Sequence, residues 1–320
     1  MTSPSLVAPS FAGASAQDLI ARRLDDGTPV LAAAAAPCGT SDQLALHRRL
    51  EAAFASLSAD AIALEERVLV DAVDAAAGHR LFPTAREEAG RSYRLCPRAG
   101  FFQTPDLWLT SQPASLFPEL PAEGHPLRPP QPEGLVYVRR DPAIGRTVSF
   151  EAIAIERDLD LFHGWMNDGR VAFFWELARS KEDLRAYLER LQADPHAFGL
   201  IGAFDGEKAG YFEVYWGAED RLGAHYDAHP FDRGWHGLIG DARFLGRART
   251  AAWLRALTHL LFLDDVRTAK VVGEPNAAHR KLLRYADEIA YRKVKEFDFP
   301  HKRAALMHCD RADFFARVRL

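Results

Sequence analysis

Arg243-Phe244-Leu245-Gly246-Arg247-Ala248 spells R-x-x-G-x-A, set between a stretch that reads as a short strand ending near Asp241 and one that reads as a helix beginning near Thr250. A strand-to-helix loop gathers unpaired backbone N–H groups and the positive end of the helix dipole at one point, an arrangement that binds pyrophosphate. Gly246 and Ala248 carry little side chain, so phosphates can approach the backbone there. The same letters also describe a solvated basic face of Arg243, Arg247 and Arg249. The loop has neither the G-x-G-x-x-G of dinucleotide folds nor the G-K-[ST] ending of a P-loop.

The surrounding elements must hold this loop. The turn Asp25-Asp26-Gly27 predicts a hairpin, Ser41 and Asp42 begin a helix carrying Leu44, Leu46, Leu50, Ala53, Phe54 and Leu57, and a further helix is predicted over Glu65–Ala77, stopped by Gly78. From Pro113 to Pro142 prolines recur and place the domain connection. Beyond it the pattern predicts a strand Thr147–Ile155, helices Asp158–Trp165 and Lys181–Gln192 (the latter capped by Ser180), and a hairpin of Phe198–Phe204 and Ala209–Trp216 around Asp205–Lys208. Strand Trp235–Gly240, helix Ala251–Leu263, strand Ala269–Gly273, a helix over about Ala277–Glu288 and strands Lys293–Phe297 and Arg303–His308 complete an alternating α/β (α+β) order on a mixed sheet.

That order around the R-x-x-G-x-A loop resembles the GNAT superfamily, whose loop of this pattern holds the pyrophosphate of acyl-CoA. Trp165-Met166-Asn167-Asp168, Tyr211-Phe212-Glu213-Val214-Tyr215-Trp216, Phe231-Asp232-Arg233-Gly234, Gly273-Glu274-Pro275 and Glu296 to Arg303 are similar to its siderophore-biosynthesis branch. The resemblance covers roughly residues 140 to 318. It implies a GNAT fold over 141–320, a mixed central sheet flanked by helices, preceded by a smaller α+β N-terminal domain over 1–140 that ends in the proline-rich connector. It further implies an acyl-CoA co-substrate, acetyl or succinyl, with Arg243, Gly246, Arg247, Ala248, Arg249 and Thr250 holding it. The acceptor it implies is a small N-hydroxylated amine (N-hydroxylysine, N-hydroxyputrescine or N-hydroxycadaverine), acylated to the hydroxamate of a siderophore by direct transfer. A GNAT enzyme acting on a primary amine and a binding module with a degenerate CoA site are the competing readings.

Site roles follow from the resemblance. His236, on the strand that passes the thioester in GNAT folds, is expected as general base, against the alternative of a core histidine with a satisfied hydrogen bond. Glu274, ending the neighbouring strand, either orients His236 as the third member of a triad does or is an acid at the start of the helix after Pro275. His225, Asp227 and Trp216 are candidate acceptor contacts, with Asp227 or Asp232 a partner for a distal ammonium; a loop aspartate that caps backbone N–H groups and an aromatic core are the plainer alternatives. The acid for the leaving thiolate has no candidate in register, because Ala286 stands where the family tyrosine would and Tyr285 lies one residue away.

Composition narrows the partners. The 320 residues are 48% hydrophobic, and 40 basic residues nearly balance 44 acidic ones, giving a net charge of -4. No basic block suits a nucleic-acid backbone, and no signal peptide or membrane span is read. Cys38, Cys96 and Cys309 lack metal or disulfide spacing, so no metal is expected and a reducing cytoplasm fits.

Overall fold

The computed structural model describes residues 19–32, 40–66, 80–110 and 124–320. The chain forms two compact units, Met1–Phe102 and Gln103–Leu320. In the first, strands β1 (Ile20–Arg23), β2 (Pro29–Leu31), β3 (Ala61–Glu65), β4 (Thr84–Glu88) and β5 (Arg91–Pro97) build a sheet of order β1-β2-β3-β5-β4. Helices α1 (Thr40–Ser56) and α2 (Arg98–Phe102) bring Phe54, Phe101 and Phe102 into one buried aromatic group. Asp25-Asp26-Gly27 makes the expected turn, with Gly27 at φ 85°. Glu65 belongs to β3 rather than to a helix, and residues 67–77 of the predicted Glu65–Ala77 helix lie outside the described residues, as do Cys38 and residues 1–18.

The second unit is an eight-stranded sheet of order β12-β13-β11-β10-β9-β8-β7-β6. Its strands are β6 (Leu135–Asp141), β7 (Arg146–Ala152), β8 (Ala197–Phe204), β9 (Glu207–Trp216), β10 (Arg233–Ile239), β11 (Lys270–Gly273), β12 (Arg292–Asp298) and β13 (Arg303–Asp310). All neighbours are antiparallel except β10 and β11. β6 lies inside the stretch that the sequence assigns to the connection. The last closely spaced proline is Pro132, after which Leu135-Val136-Tyr137 can pair with β7 and bury Val136 and Tyr137.

Helices α3 (Ile155–Met166), α4 (Gly169–Trp175) and α5 (Lys181–Ala193) follow β7. Ser180 caps α5 by accepting from the Asp183 N–H, and Asp168 caps α4 from its side chain. Leu159, Phe162, Leu184, Leu188 and Tyr211 close this layer over the sheet. α4 has no counterpart in the sequence reading, and it leaves Phe173 and Phe174 exposed. The β8–β9 turn contracts to Asp205-Gly206, both at positive φ, the twist a two-residue hairpin loop requires.

On the opposite face lies α6 (Arg247–Asp264), whose residues from Ala251 to Leu263 are nearly all buried, as befits a helix apolar all round. Its Trp253 packs against Phe212 of β9 and Trp235 of β10. α7 (Arg280–Asp287) and α8 (Arg311–Arg317) complete the unit. No helix among the described residues is long and apolar enough to cross a membrane.

Candidate active site

Two parallel strands that part company make the site. β10 and β11 pair only at Arg233↔Val271 and Gly234↔Val272, while β10 continues to Ile239 against β9 alone. Side chains alternate along a strand, so His236 and Glu274, each two residues beyond the last pair, fall on the same face as Gly234 and Val272. They meet across the gap: His236 Nε2–H donates to Glu274 Oε1 at 2.9 Å. Gly234 is required here, because a Cβ would come within 2.1 Å of the Tyr215 ring.

A second carboxylate stands on the other side of the imidazole. Glu213 is the cross-strand neighbour of His236, and its Oε2 lies 3.7 Å from His236 Nδ1. The hydroxyls of Tyr187 and Tyr211 both donate to Glu213 Oε1, the latter at 2.9 Å. Tyr215 donates to Glu274 Oε2 at 3.0 Å, and Lys302 Nζ donates to Glu274 Oε1 at 3.4 Å. Arg221 adds an ion pair of 3.5 Å to the same oxygen. Both acids are therefore buried yet fully supplied with donors, which removes most of the penalty of burying charge.

The electrostatics follow. Burial by itself pulls the His236 imidazole down, but the Glu274 and Glu213 carboxylates outweigh it and raise the group to about 10. Burial pushes the Glu274 carboxyl up, but His236, Lys302 and Tyr215 hold it well below the usual carboxylate range. The Glu213 carboxyl shows the same competition and also ends low, held by His236, Tyr187 and Tyr211. At neutral pH the resting site is an imidazolium between two carboxylates. To act as the general base expected from the sequence, His236 must first give up that proton.

The pyrophosphate-type loop begins one strand-end away. Asp241 starts a 3-10 turn, Ala242–Phe244, and Gly246 is the N-cap of α6 at φ 126°, ψ 155°, a region open essentially to glycine alone. The helix starts four residues earlier than its apolar pattern predicts, because Arg247, Ala248 and Arg249 carry no core residue. The N–H groups of Arg247, Ala248 and Arg249 thus precede the first intrahelical bond, from Thr250 N–H to Gly246 O, and are the unpaired donors an anion needs. Among the loop side chains, Arg243 pairs with Asp241 and Glu207, Arg247 with Glu288, and Arg249 reaches back to Leu245 O. The backbone of the helix start fits a pyrophosphate; its arginines are occupied by nearby acceptors.

Of the acceptor candidates, His225 stacks on Phe297 at 4.3 Å and meets Phe299 edge-on, close to the Lys302 end of the site. Asp227 is exposed and bonds to nothing among the described residues. Asp232 is fully buried, accepting from His229 N–H and pairing with Lys270, so it is closed to a ligand ammonium. Trp216 is buried on the opposite face of β9 from Glu213 and Tyr215, sandwiched between the Arg128 and Arg233 guanidinium groups at 4.0 and 4.1 Å. The sequence reading missed Glu213, Tyr187, Tyr211, Arg221 and Lys302. A lone acid in the aromatic run Tyr211 to Trp216 was the available signal, since a strand that apolar buries any charge it carries.

Comparison with known proteins agrees with this architecture. A family model described as an acetyltransferase (GNAT) domain matches residues 154–299. The chain is 44% identical over 228 residues to the N(6)-hydroxylysine O-acetyltransferase of Escherichia coli, covering 70% of this chain and 72% of that one. It is 42% identical over 195 residues to an N(5)-hydroxyornithine:cis-anhydromevalonyl coenzyme A-N(5)-transacylase of Beauveria bassiana, covering 60% of this chain but only 43% of that longer relative. Among solved structures, an uncharacterized protein from Bacillus halodurans superposes with a TM-score of 0.55 at 27% identity, covering 58% of this chain and 95% of that one.

Proposed function

The chain belongs to the GNAT acyltransferases, and from that premise we propose that it transfers an acyl group from acyl-CoA to an N-hydroxylated amine such as N-hydroxylysine, forming the hydroxamate of a siderophore. The observation that carries the reading is the His236–Glu274 pair, poised where β10 and β11 separate and flanked by Glu213. The 44% identity to an enzyme named for N(6)-hydroxylysine supports the choice of acceptor.

In this reading the acceptor nitrogen attacks the thioester carbonyl, the C–N bond forms, the C–S bond breaks, and the nitrogen loses its proton to the site. A hydroxylamine is largely neutral at pH 7, so its lone pair is free without prior deprotonation. Once attack has begun the nitrogen becomes cationic and its proton strongly acidic. The Glu213–His236–Glu274 array takes that proton through the imidazole, in the fraction of the protein where His236 is neutral. His236 orients the reacting groups and passes the proton; the first-turn N–H groups of α6 hold the pyrophosphate. Acetyl and succinyl are both compatible donors.

The test is release of free CoA from acetyl-CoA or succinyl-CoA with N6-hydroxylysine against lysine, with the product read by the colour of its ferric complex. N-acylation gives a hydroxamate that binds ferric iron, whereas O-acylation does not. We expect a coloured product and a specificity constant for the hydroxylated acceptor that exceeds that for lysine at pH 7, with the gap narrowing at high pH. Equal constants for the two acceptors at neutral pH would transfer the chain to the primary-amine acyltransferases.

A further inference from the structure

Phe299 is nearly buried beside the His236–Glu274 pair, and basic groups surround it. The Arg221 guanidinium carbon is 5.1 Å from its ring centroid and Lys302 Nζ 5.8 Å. His225 meets the ring edge-on at 4.9 Å, and His301 stacks on it at 5.6 Å. Arg221 and Lys302 converge on one atom, Glu274 Oε1, at 3.5 and 3.4 Å.

That oxygen already receives the His236 N–H, so it satisfies neither cation fully. The Arg221 side chain is half exposed, and its guanidinium has no hydrogen bond among the described residues. Lys302 spends one of its three N–H donors on Glu274. The nearby acid Asp220 is turned to its own backbone, accepting from the Leu222 N–H at 2.9 Å. Among the described residues, Glu274 is the one acid that either cation meets in an ion pair, so Arg221 and Lys302 keep N–H donors to spare.

A planar anion with two acceptor oxygens matches these spare donors, whereas the distal ammonium of a diamine would meet two cations at close range. Building on the acyltransfer reading, we infer that Arg221 and Lys302 form a binding site for a substrate carboxylate beside the His236–Glu274 pair. Two sources offer one: the α-carboxylate of an amino-acid acceptor, or the far carboxylate of a dicarboxylic acyl group.

The experiment crosses two matched pairs on the full chain. N6-hydroxylysine is set against N-hydroxycadaverine, which lacks only the carboxylate, and succinyl-CoA against acetyl-CoA, with CoA release as the readout. One pair should show a preference for its carboxylate-bearing member of roughly ten- to a hundredfold in kcat/KM, the range of a charge-assisted hydrogen bond. Preference in the acceptor pair identifies the α-carboxylate, and preference in the acyl pair the acyl group. Arg221→Gln should erase most of it by raising KM for that member by far more than for its carboxylate-free counterpart, and Arg221→Lys should restore part.

Three results overturn the inference. Wild type could be indifferent in both pairs while still acylating hydroxylamines, which sinks the carboxylate site and spares the acyltransfer reading. Arg221→Gln could lower both members equally through kcat, which would mean that Arg221 acts only through Glu274. Failure to acylate any hydroxylamine removes the acyltransfer reading and the carboxylate site with it.

Discussion

Replacing Glu274 with Gln keeps the shape of the site and removes the anion 2.9 Å from His236 Nε2. In the wild-type protein the imidazole is raised to about 10. Only roughly one imidazole in a thousand is then neutral at pH 7, since each unit between pH and pKa is a factor of ten. If catalysis needs the neutral ring, the rate with a neutral hydroxylamine acceptor should climb about tenfold per pH unit from 7 towards 10. With Glu274 gone, an opposite charge at contact distance is lost and the imidazole should fall by about 1 to 3 units. The alkaline limb then moves down by the same interval, and the neutral fraction at pH 7 grows tenfold or more. Lost orientation and weaker basicity offset that gain, so turnover at pH 7 should drop, but by less than in His236→Ala. The assay is CoA release at saturating acyl-CoA from pH 6 to 10, beside the imidazole proton resonances of both proteins. An imidazole that titrates near 6.5 in the wild type, or a limb that stays in place in folded Glu274→Gln, would refute the electrostatic account.

Three other outcomes are expected. His236→Ala should lower turnover by about a hundredfold or more with acyl-CoA binding little changed; a folded variant that works like wild type from pH 6 to 9 would demote the residue and shift attention to His225. Gly246→Val should abolish CoA binding by titration calorimetry while the fold persists: nothing in the protein lies within 4 Å of the added Cβ, so the cost comes from φ 126° and from blocked phosphate approach. Stability should peak in mildly acidic solution. The raised His236 contributes fully below its ordinary 6.5 and loses that contribution as pH rises through about 10, whereas the lowered Glu274 contributes fully above its ordinary 4.5 and loses it on acidification. Thermal unfolding of wild type minus His236→Ala should show the alkaline loss, and a difference independent of pH between 7 and 10 would contradict it.

Local signals in the sequence were readable where one segment determines its own structure. Ser180 announced α5, and Asp205-Gly206 announced the hairpin, because capping and turn geometry depend on a few adjacent residues. The R-x-x-G-x-A loop likewise sits at the helix start. What stayed hidden depends on partners distant in sequence. Glu213 acquires its meaning only when β9 and β10 pair and set it opposite His236. Arg221 and Lys302 lie 81 residues apart and are joined only through Phe299 and Glu274. His236 itself was found by resemblance, but its charge was not: that requires knowing that both ring nitrogens face carboxylates. β6 escaped notice because neighbouring prolines dominated the reading of a strand whose pairing partner, β7, decides it.

The uneven stitching of β10 has a mechanical consequence. Seven cross-strand pairs fasten it to β9, but only two fasten it to β11. Within the sheet, backbone pairing joins β6–β10 to β11–β13 only at Arg233 and Gly234 against Val271 and Val272. Arg233 anchors that seam on the other face, fully buried and bound to Asp264 at 2.6 Å. Beyond that seam the gap is spanned by side chains, the His236–Glu274 and Tyr215–Glu274 hydrogen bonds. The contact that closes the gap is thus the same one that sets the charge of the imidazole.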